Sequence, residues 1–442
     1  MEQEELKRKL LGLWEKTTHN SKEYLTLLFD YYFDENYLVY KETDGKVVSA
    51  ICGIPYNFGS ENHSLKGLYL LYLSSEEGYR KKGVLSELLN NINDRVKSEF
   101  DFTFLVPHTE LLEDYFGTQG YFSSFFILEE RFTPLHDFRN DYLLSLIESD
   151  ERIRLLKRAL LDEINVTDNS GWEFSEDEII RFIKHTENKE ISAVNLCHTY
   201  RDLEYILNED SLSKANHFVA YDSDKKITGV VFTQKDDIKR IRVVACYVAD
   251  TCSYYALLDF IKRAYPDFSL SVNTSEPKFQ THSIIQQTYA AENPSGGDLD
   301  NTFETIEVAF NINRLLQPLG MVKLLRFDKI LKYIAETRSD IDFKLYIRDY
   351  IPEYRENISD IATIEQEIST SSRKTEETSY IVYKVKGGKC VMEDMKTLDR
   401  SVLNLSVKET SELLLRKNDS SNLIMEAFGI PRLNLQMRLL PY

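Results

Sequence analysis

The stretch from Gly67 to Val96 constrains this chain more than any other. Gly67-Leu-Tyr-Leu-Leu-Tyr-Leu73 is apolar at every position after the glycine. A half-exposed strand alternates, so an unbroken run predicts a strand at the centre of a sheet, buried on both faces. A short turn carrying Arg80, Lys81, Lys82 and Gly83 follows, and then Val84, Leu85, Leu88, Leu89, Ile92 and Val96 recur on one face of a helix. Strand, basic glycine turn and amphipathic helix in that order suit a pyrophosphate. The first N–H groups of a helix have no intrahelical partners, the macrodipole places partial positive charge there, and a glycine lets the backbone approach the anion. Taken alone, the same residues also fit a solvated helix start with an ordinary turn glycine.

A second informative segment lies downstream. Phe102 to Val106 reads as a buried strand, Pro107 breaks it, Thr109 caps a short helix, and Asp114-Tyr-Phe-Gly-Thr-Gln-Gly120-Tyr121 closes the segment. Upstream, residues 4 to 33 read as two helices, and the strands Tyr37 to Glu42 and Val47 to Ile54 flank Asp44-Gly45, a hairpin dipeptide.

These segments, in this order, resemble the GNAT acetyltransferases. Arg80 and Gly83 match the first and fourth residues of that family's Arg/Gln-x-x-Gly-x-Gly/Ala signature, and the segment ending at Tyr121 resembles its closing Tyr-x-x-x-Gly-Phe. The resemblance implies an acetyl-CoA site, with Arg80, Lys81, Lys82, Gly83 and Val84 on the phosphates and the strand residues Leu73 and Ser75 on the pantetheine arm. Leu85 stands where the general family has Gly or Ala, and a leucine there is similar to the Eis-type (enhanced intracellular survival) branch. In the family, the tyrosine five residues before the closing aromatic protonates the departing thiolate. Counting back from Tyr121 gives Phe116, with Tyr115 one residue earlier. A phenyl ring has no proton to give, and neighbours on a helix point about 100° apart. Either Tyr115 substitutes through a local shift, or water protonates the thiolate, or the site is impaired. Tyr115 also fits core packing beside Leu111 and Leu112.

The rest of the chain extends the resemblance. Helices are expected at 142 to 163, 175 to 187 and 200 to 207, strands at His217 to Tyr221, Ile227 to Thr233 and Ile241 to Val248, then a helix across Tyr254 to Ala264, a loop from Glu292 to Asp300 and a strand from Ile306 to Ile312. From Pro318 a third region begins, with a strand running into a helix over Val322 to Ile334. Strands follow at Phe343 to Ile347, Tyr380 to Lys386 and Lys389 to Glu393, the last two joined by Gly387-Gly388, and then a helix after Val407. This order resembles the Eis-type proteins over essentially the whole chain. It implies an α+β architecture of two tandem GNAT-fold mixed-sheet domains, 1–130 with the acetyl-CoA site and 131–315 without one, followed by a sterol-carrier-protein-like α+β domain, 316–442. The turn after Val248 has no glycine or basic residue, and Asp250 there would repel a pyrophosphate. By resemblance, the final carboxylate, at Tyr442, serves as base; an edge strand ending in solvent is the other reading of that segment. Asp30, Asp34 and Glu35 would bind a cationic acceptor by the same resemblance, and also read as solvated charges. Family members often form homo-oligomers.

Bulk properties narrow the function classes. With 442 residues the chain has room for about three domains. A net charge of −18 disfavours nucleic acid. Cys52, Cys197, Cys246, Cys252 and Cys390 are scattered singly, which suggests a reducing cytoplasm. The charged start lacks a signal-peptide pattern, and the longest apolar run, Leu68 to Leu73, is far short of the roughly 20 residues a bilayer requires. The eight histidines include no HExxH and no paired ligand spacing, so no metal is expected, and no GxSxG elbow or Walker loop occurs. The leading expectation is an N-acetyltransferase acting on a primary amine of a small molecule or peptide. Its rivals are a catalytically impaired GNAT-fold protein that binds coenzyme A or another ligand without turnover, and a lipid carrier acting through the third region.

Overall fold

A computed structural model describes residues 2–18, 20–60, 63–139, 141, 163–168, 174–187, 194–210, 215–236, 238–274, 313–350, 380–398, 401–415 and 435–436. In chain order the elements are α1 (Glu2–Thr18), α2 (Lys22–Tyr32), β1 (Leu38–Thr43), β2 (Lys46–Gly59), β3 (Ser64–Ser75), α3 (Val84–Val96), β4 (Phe102–Leu105), α4 (Glu110–Thr118) and β5 (Phe122–Phe132). There follow β6 (Asn165–Asp168), α5 (Glu176–Glu187), β7 (Val194–Cys197), α6 (Tyr200–Asp210), β8 (Ala215–Tyr221), β9 (Ile227–Asp236), β10 (Arg240–Val248), α7 (Thr251–Ala264) and β11 (Ser269–Thr274). The last are β12 (Asn313–Leu324), α8 (Phe327–Thr337), β13 (Asp342–Arg348), β14 (Tyr380–Lys386), β15 (Lys389–Met395), β16 (Val402–Ser406) and α9 (Val407–Leu415). They form two compact units, one of Met1–Phe125, Ala193–Cys197 and Pro318–Leu435, the other of Phe126–Ser192, His198–Gln317 and Gln436–Tyr442. The expected helix at 142–163, except its last residue Glu163, the loop at 292–300, the strand at 306–312 and Tyr442 lie outside the described residues.

In the first unit β3 occupies the expected central place, antiparallel to β2 and parallel to β4. β1 covers part of β2's outer edge and β7 another part, while β12 lies antiparallel on β4. The β1–β2 hairpin turns at Asp44 (φ 52°) and Gly45 (φ 75°), both left-handed as a tight two-residue turn requires. β2 continues past Ile54 through Pro55, which lies between the end of the β1 ladder at Cys52 and the start of the β7 ladder at Asn57. On that uncovered edge the missing N–H interrupts no pairing. α3 buries Leu88, Leu89, Ile92 and Val96 against Ile51, Leu68 and Leu70 of the sheet. α1 packs on β2 and β3. In the third region of the sequence, β15, β14, β13 and β16 make a separate four-stranded sheet, with α8 packed on β14 and β15. Gly387 (φ 57°) and Gly388 (φ 79°) form the expected hairpin turn.

The second unit has β11, β10, β9, β8 and β6 side by side, with the end of β5 antiparallel on β11. α7 packs on β8, β9 and β10, burying Tyr254, Leu257, Leu258 and Ile261 against Val231, Val243 and Val272. The mixed sheets with helices on their faces are the expected α+β class.

Candidate functional site

The candidate site lies where β3 runs on past β4. Their parallel ladder runs only from Gly67 opposite Phe102 to Tyr69 opposite Phe104, whereas β3 continues to Ser75, still paired with β2 at Ser49. The β4-facing edge of β3 beyond Tyr69 therefore outruns its ladder. A bulge marks the same stretch: between the pairs Cys52–Leu71 and Ala50–Ser74, Tyr72 and Leu73 lie opposite Ile51 alone. Tyr72 has φ 53°, a left-handed conformation costing a side-chain-bearing residue about 1–2 kcal/mol. The surroundings hold it there, its ring stacked 5.0 Å from that of Trp14 and its hydroxyl accepting from Asn20 Nδ2 at 3.0 Å.

The turn after β3 leaves a helix N-terminus open. A single 3-10 turn, Glu77–Tyr79, leads to Arg80, whose Nε donates to the Ser75 carbonyl at 3.1 Å and ties the turn to the strand end. Lys82 Nζ lies 5.5 Å from the centre of the Tyr79 ring. Gly83 occupies the cap position of α3 with φ 79°, so it contributes no capping side chain, and an added Cβ would meet nothing within 4 Å. Arg80, Lys81, Lys82 and Gly83 are exposed, and among the described residues no carboxylate pairs with the three cations. Uncapped N–H groups, three unpaired charges and open space above a glycine fit a pyrophosphate.

α4 approaches this helix end from the β4 side. Thr109 Oγ1 caps it by accepting from the Leu112 N–H at 3.3 Å. Phe116 turns inward, 4% exposed, with its ring 6.1 Å from that of Tyr121. Tyr115 is half-buried, packed against the same core as Leu73 and Leu85, and its hydroxyl lies 2.9 Å from Ser86 Oγ in the first turn of α3. Tyr121 is buried and hydrogen-bonded to Thr103 and Asn93, and its burial pushes the phenol up to about 12, the two hydrogen bonds acting the other way.

The remaining residues singled out in the sequence are placed as follows. Ser75 is buried, with its Oγ 2.8 Å from Ser49 Oγ. Asp34 caps the turn Glu35–Tyr37, accepting from the Asn36 N–H at 2.9 Å, while Asp30 and Glu35 are exposed. Burial, with the Asp34 charge adding to it, pushes the Cys52 thiol up to about 12. Tyr72, Trp14 and Ser86 were not legible as site residues, because a bulge and two contacts between distant segments give no sequence signal. Among the described residues no cluster of three His, Cys, Asp or Glu could hold a metal.

The second unit repeats the frame with a different end. β10 pairs in parallel with β11 only from Arg240 to Val243 but continues to Val248, and it bulges at Val244. There Asp250 caps α7, its carboxylate accepting from the Ser253 N–H at 2.8 Å. The helix end that is open in α3 is taken by an acidic side chain in α7.

No protein-family model matches the sequence, and no curated protein matches it. The fold does match solved structures. One is a conserved protein of unknown function, a probable N-acyltransferase, from Enterococcus faecalis, at 13% identity over 96% of this chain and 90% of that one, with a TM-score of 0.61. Another is a GCN5-related N-acetyltransferase from Anabaena variabilis, at 10% identity over 97% and 96%, with a TM-score of 0.59. A third is Eis1 from Mycobacterium abscessus, at 9% identity over 92% and 90%, with a TM-score of 0.54. At these identities the likeness is one of fold: the chain is built on the GNAT fold.

Proposed function

We propose that this GNAT-fold chain is an N-acetyltransferase that takes its acetyl group from acetyl-CoA and delivers it to a primary amine. The observation that carries this reading is the conjunction at the end of β3: a strand edge that outruns its ladder leads directly into an uncapped, basic helix N-terminus. A ligand with a pyrophosphate at one end and an amide-bearing arm at the other matches both features. Arg80, Lys81, Lys82 and the N–H groups at Gly83 and Val84 would hold the phosphates, and the backbone of Leu73 and Ser75 would pair with the arm as an added strand does. When bound, acetyl-CoA supplies an activated acetyl thioester.

The protein's part is positioning and proton movement. The Tyr72–Leu73 bulge redirects the strand backbone beyond the ladder, where N–H groups can stabilise negative charge developing on a carbonyl oxygen. A carboxylate, or water held by one, removes the proton from the amine, and by resemblance that carboxylate is the final one, at Tyr442; Asp30, Asp34 and Glu35 would bind a cationic acceptor. Tyr115 donates the proton at the other end of the reaction, since Phe116 is committed to the core. The lone amine attack requires no metal. The sheet of β13–β16 with α8 and α9 is read, by resemblance, as a sterol-carrier-like part.

Calorimetric titration with acetyl-CoA tests the reading, alongside a variant with Arg80, Lys81 and Lys82 all replaced by alanine. Saturable binding that weakens by about tenfold or more in the variant, with the difference shrinking as salt is added, is the expected result. An absence of binding to the wild type at millimolar acetyl-CoA would overturn it. Binding without turnover on a broad amine panel would leave a coenzyme A-binding protein instead.

A further inference from the structure

The hydroxyl pair Ser86–Tyr115 bears on how a chain with phenylalanine at the expected proton-donor position handles its leaving group. Ser86 belongs to the helix that follows β3, and Tyr115 to the helix that follows β4. Their hydroxyl oxygens are 2.9 Å apart, so the contact links the two helices beside the strand end where the cofactor arm is proposed to lie. Among the described residues the Tyr115 hydroxyl has no other partner. Either oxygen can donate in this pair; if Ser86 donates, the Tyr115 proton is left free for another acceptor. Ser86 also stands in the first turn of α3, where the helix dipole favours negative charge.

We propose that Ser86 is a positioning residue that turns Tyr115 into the proton donor for the coenzyme A thiolate. The proposal rests on the reading of this strand end as the acetyl-CoA site. In the step, the Tyr115 O–H bond breaks and an S–H bond forms. The electron pair of the broken bond stays on the phenolic oxygen, the sulfur lone pair takes the proton, and the phenolate accepts the Ser86 hydroxyl hydrogen bond until solvent returns a proton. The one-residue offset from Phe116 is thereby absorbed. Phe116 fills the core, and Tyr115, about 100° around the helix, is directed by a contact from the neighbouring helix.

The test needs no knowledge of the acceptor. Free coenzyme A is bound to the full-length wild type and to Ser86→Ala, Ser86→Thr and Tyr115→Phe, with saturation checked by calorimetry for each. The thiolate of the bound ligand is then followed across pH by its ultraviolet absorbance, as a difference against protein alone. A hydroxyl donating to sulfur favours the charged form, so it lowers the thiol pKa. Tyr115→Phe is expected to cut the thiolate fraction at a fixed pH below the midpoint by about tenfold, as loss of a charge-assisted hydrogen bond does. Ser86→Ala is expected to reproduce most of that loss and Ser86→Thr to restore wild-type behaviour. A Ser86→Ala titration that matches wild type, or a Tyr115→Phe titration that does so, overturns the proposal. Failure of coenzyme A to bind the wild type refutes the cofactor reading itself, and this proposal with it.

Discussion

Replacing Gly83 by alanine isolates the basic turn before α3, proposed above to hold phosphates, from the rest of the fold. Gly83 has φ 79°, and a Cβ built on it meets nothing within 4 Å. No steric clash with a neighbour accompanies the change, and the perturbation is confined to the backbone. An L-residue in the left-handed region costs about 1–2 kcal/mol more than glycine. That cost has two places to appear. If the free turn relaxes to another conformation, folding stability is nearly unchanged and the strain returns on binding, weakening acetyl-CoA by roughly five- to thirtyfold. If the turn keeps its shape, affinity is preserved and the same 1–2 kcal/mol or so leaves the folding free energy. Calorimetry with acetyl-CoA and urea unfolding of the free protein measure the two shares, and their sum is the predicted quantity. S-acetylpantetheine, which lacks the pyrophosphate, is the control and should bind both proteins alike. The reasoning is refuted if the sum is near zero, or if S-acetylpantetheine loses as much affinity as acetyl-CoA.

Two further outcomes follow from the helix ends. Asp250→Ala removes the cap of α7 and should lower stability by about 1 kcal/mol, read by urea unfolding, without changing acetyl-CoA affinity; an equal loss of affinity would contradict the separation of the two helix ends. Glu409 is held down to about 2 by the Ser406 N–H and hydroxyl and by Arg348. A carboxylate depressed below its unfolded value of about 4.3 contributes stability that is present above that value and lost as pH falls through about 2. Glu409→Gln should accordingly flatten the acid side of the stability–pH curve over that window, and an unaltered curve would refute the assignment.

Much of the frame was legible from local pattern. The apolar run at β3 read as a central strand because burial on both faces removes alternation. The turns at Asp44-Gly45 and Gly387-Gly388 read as hairpins because both central positions need left-handed backbone. Gly83 read as the turn residue before a helix, and it stands at the cap of α3 with φ 79°, because a helix start is a property of a few adjacent residues. Phe116 was recognised as unable to donate a proton from its chemistry alone.

Other features came only with the tertiary structure. That β3 and β4 pair over only three residues is a matter of register between segments about 35 residues apart, which leaves no periodic trace. The bulge at Tyr72 depends on β2 being one residue short opposite it, and on Trp14 and Asn20 holding the ring. β7, read as nothing in particular, pairs with β2, its Leu196 and Cys197 opposite Phe58 and Asn57, some 140 positions away in the chain. The contact of Tyr115 with Ser86, across 29 positions, is likewise absent from any local pattern. Sequence determines what each segment can do by itself, through side-chain size, charge and backbone freedom. Which groups meet between elements is decided by packing, because a hydrogen bond between two helices exists only once their separate strands have been laid side by side.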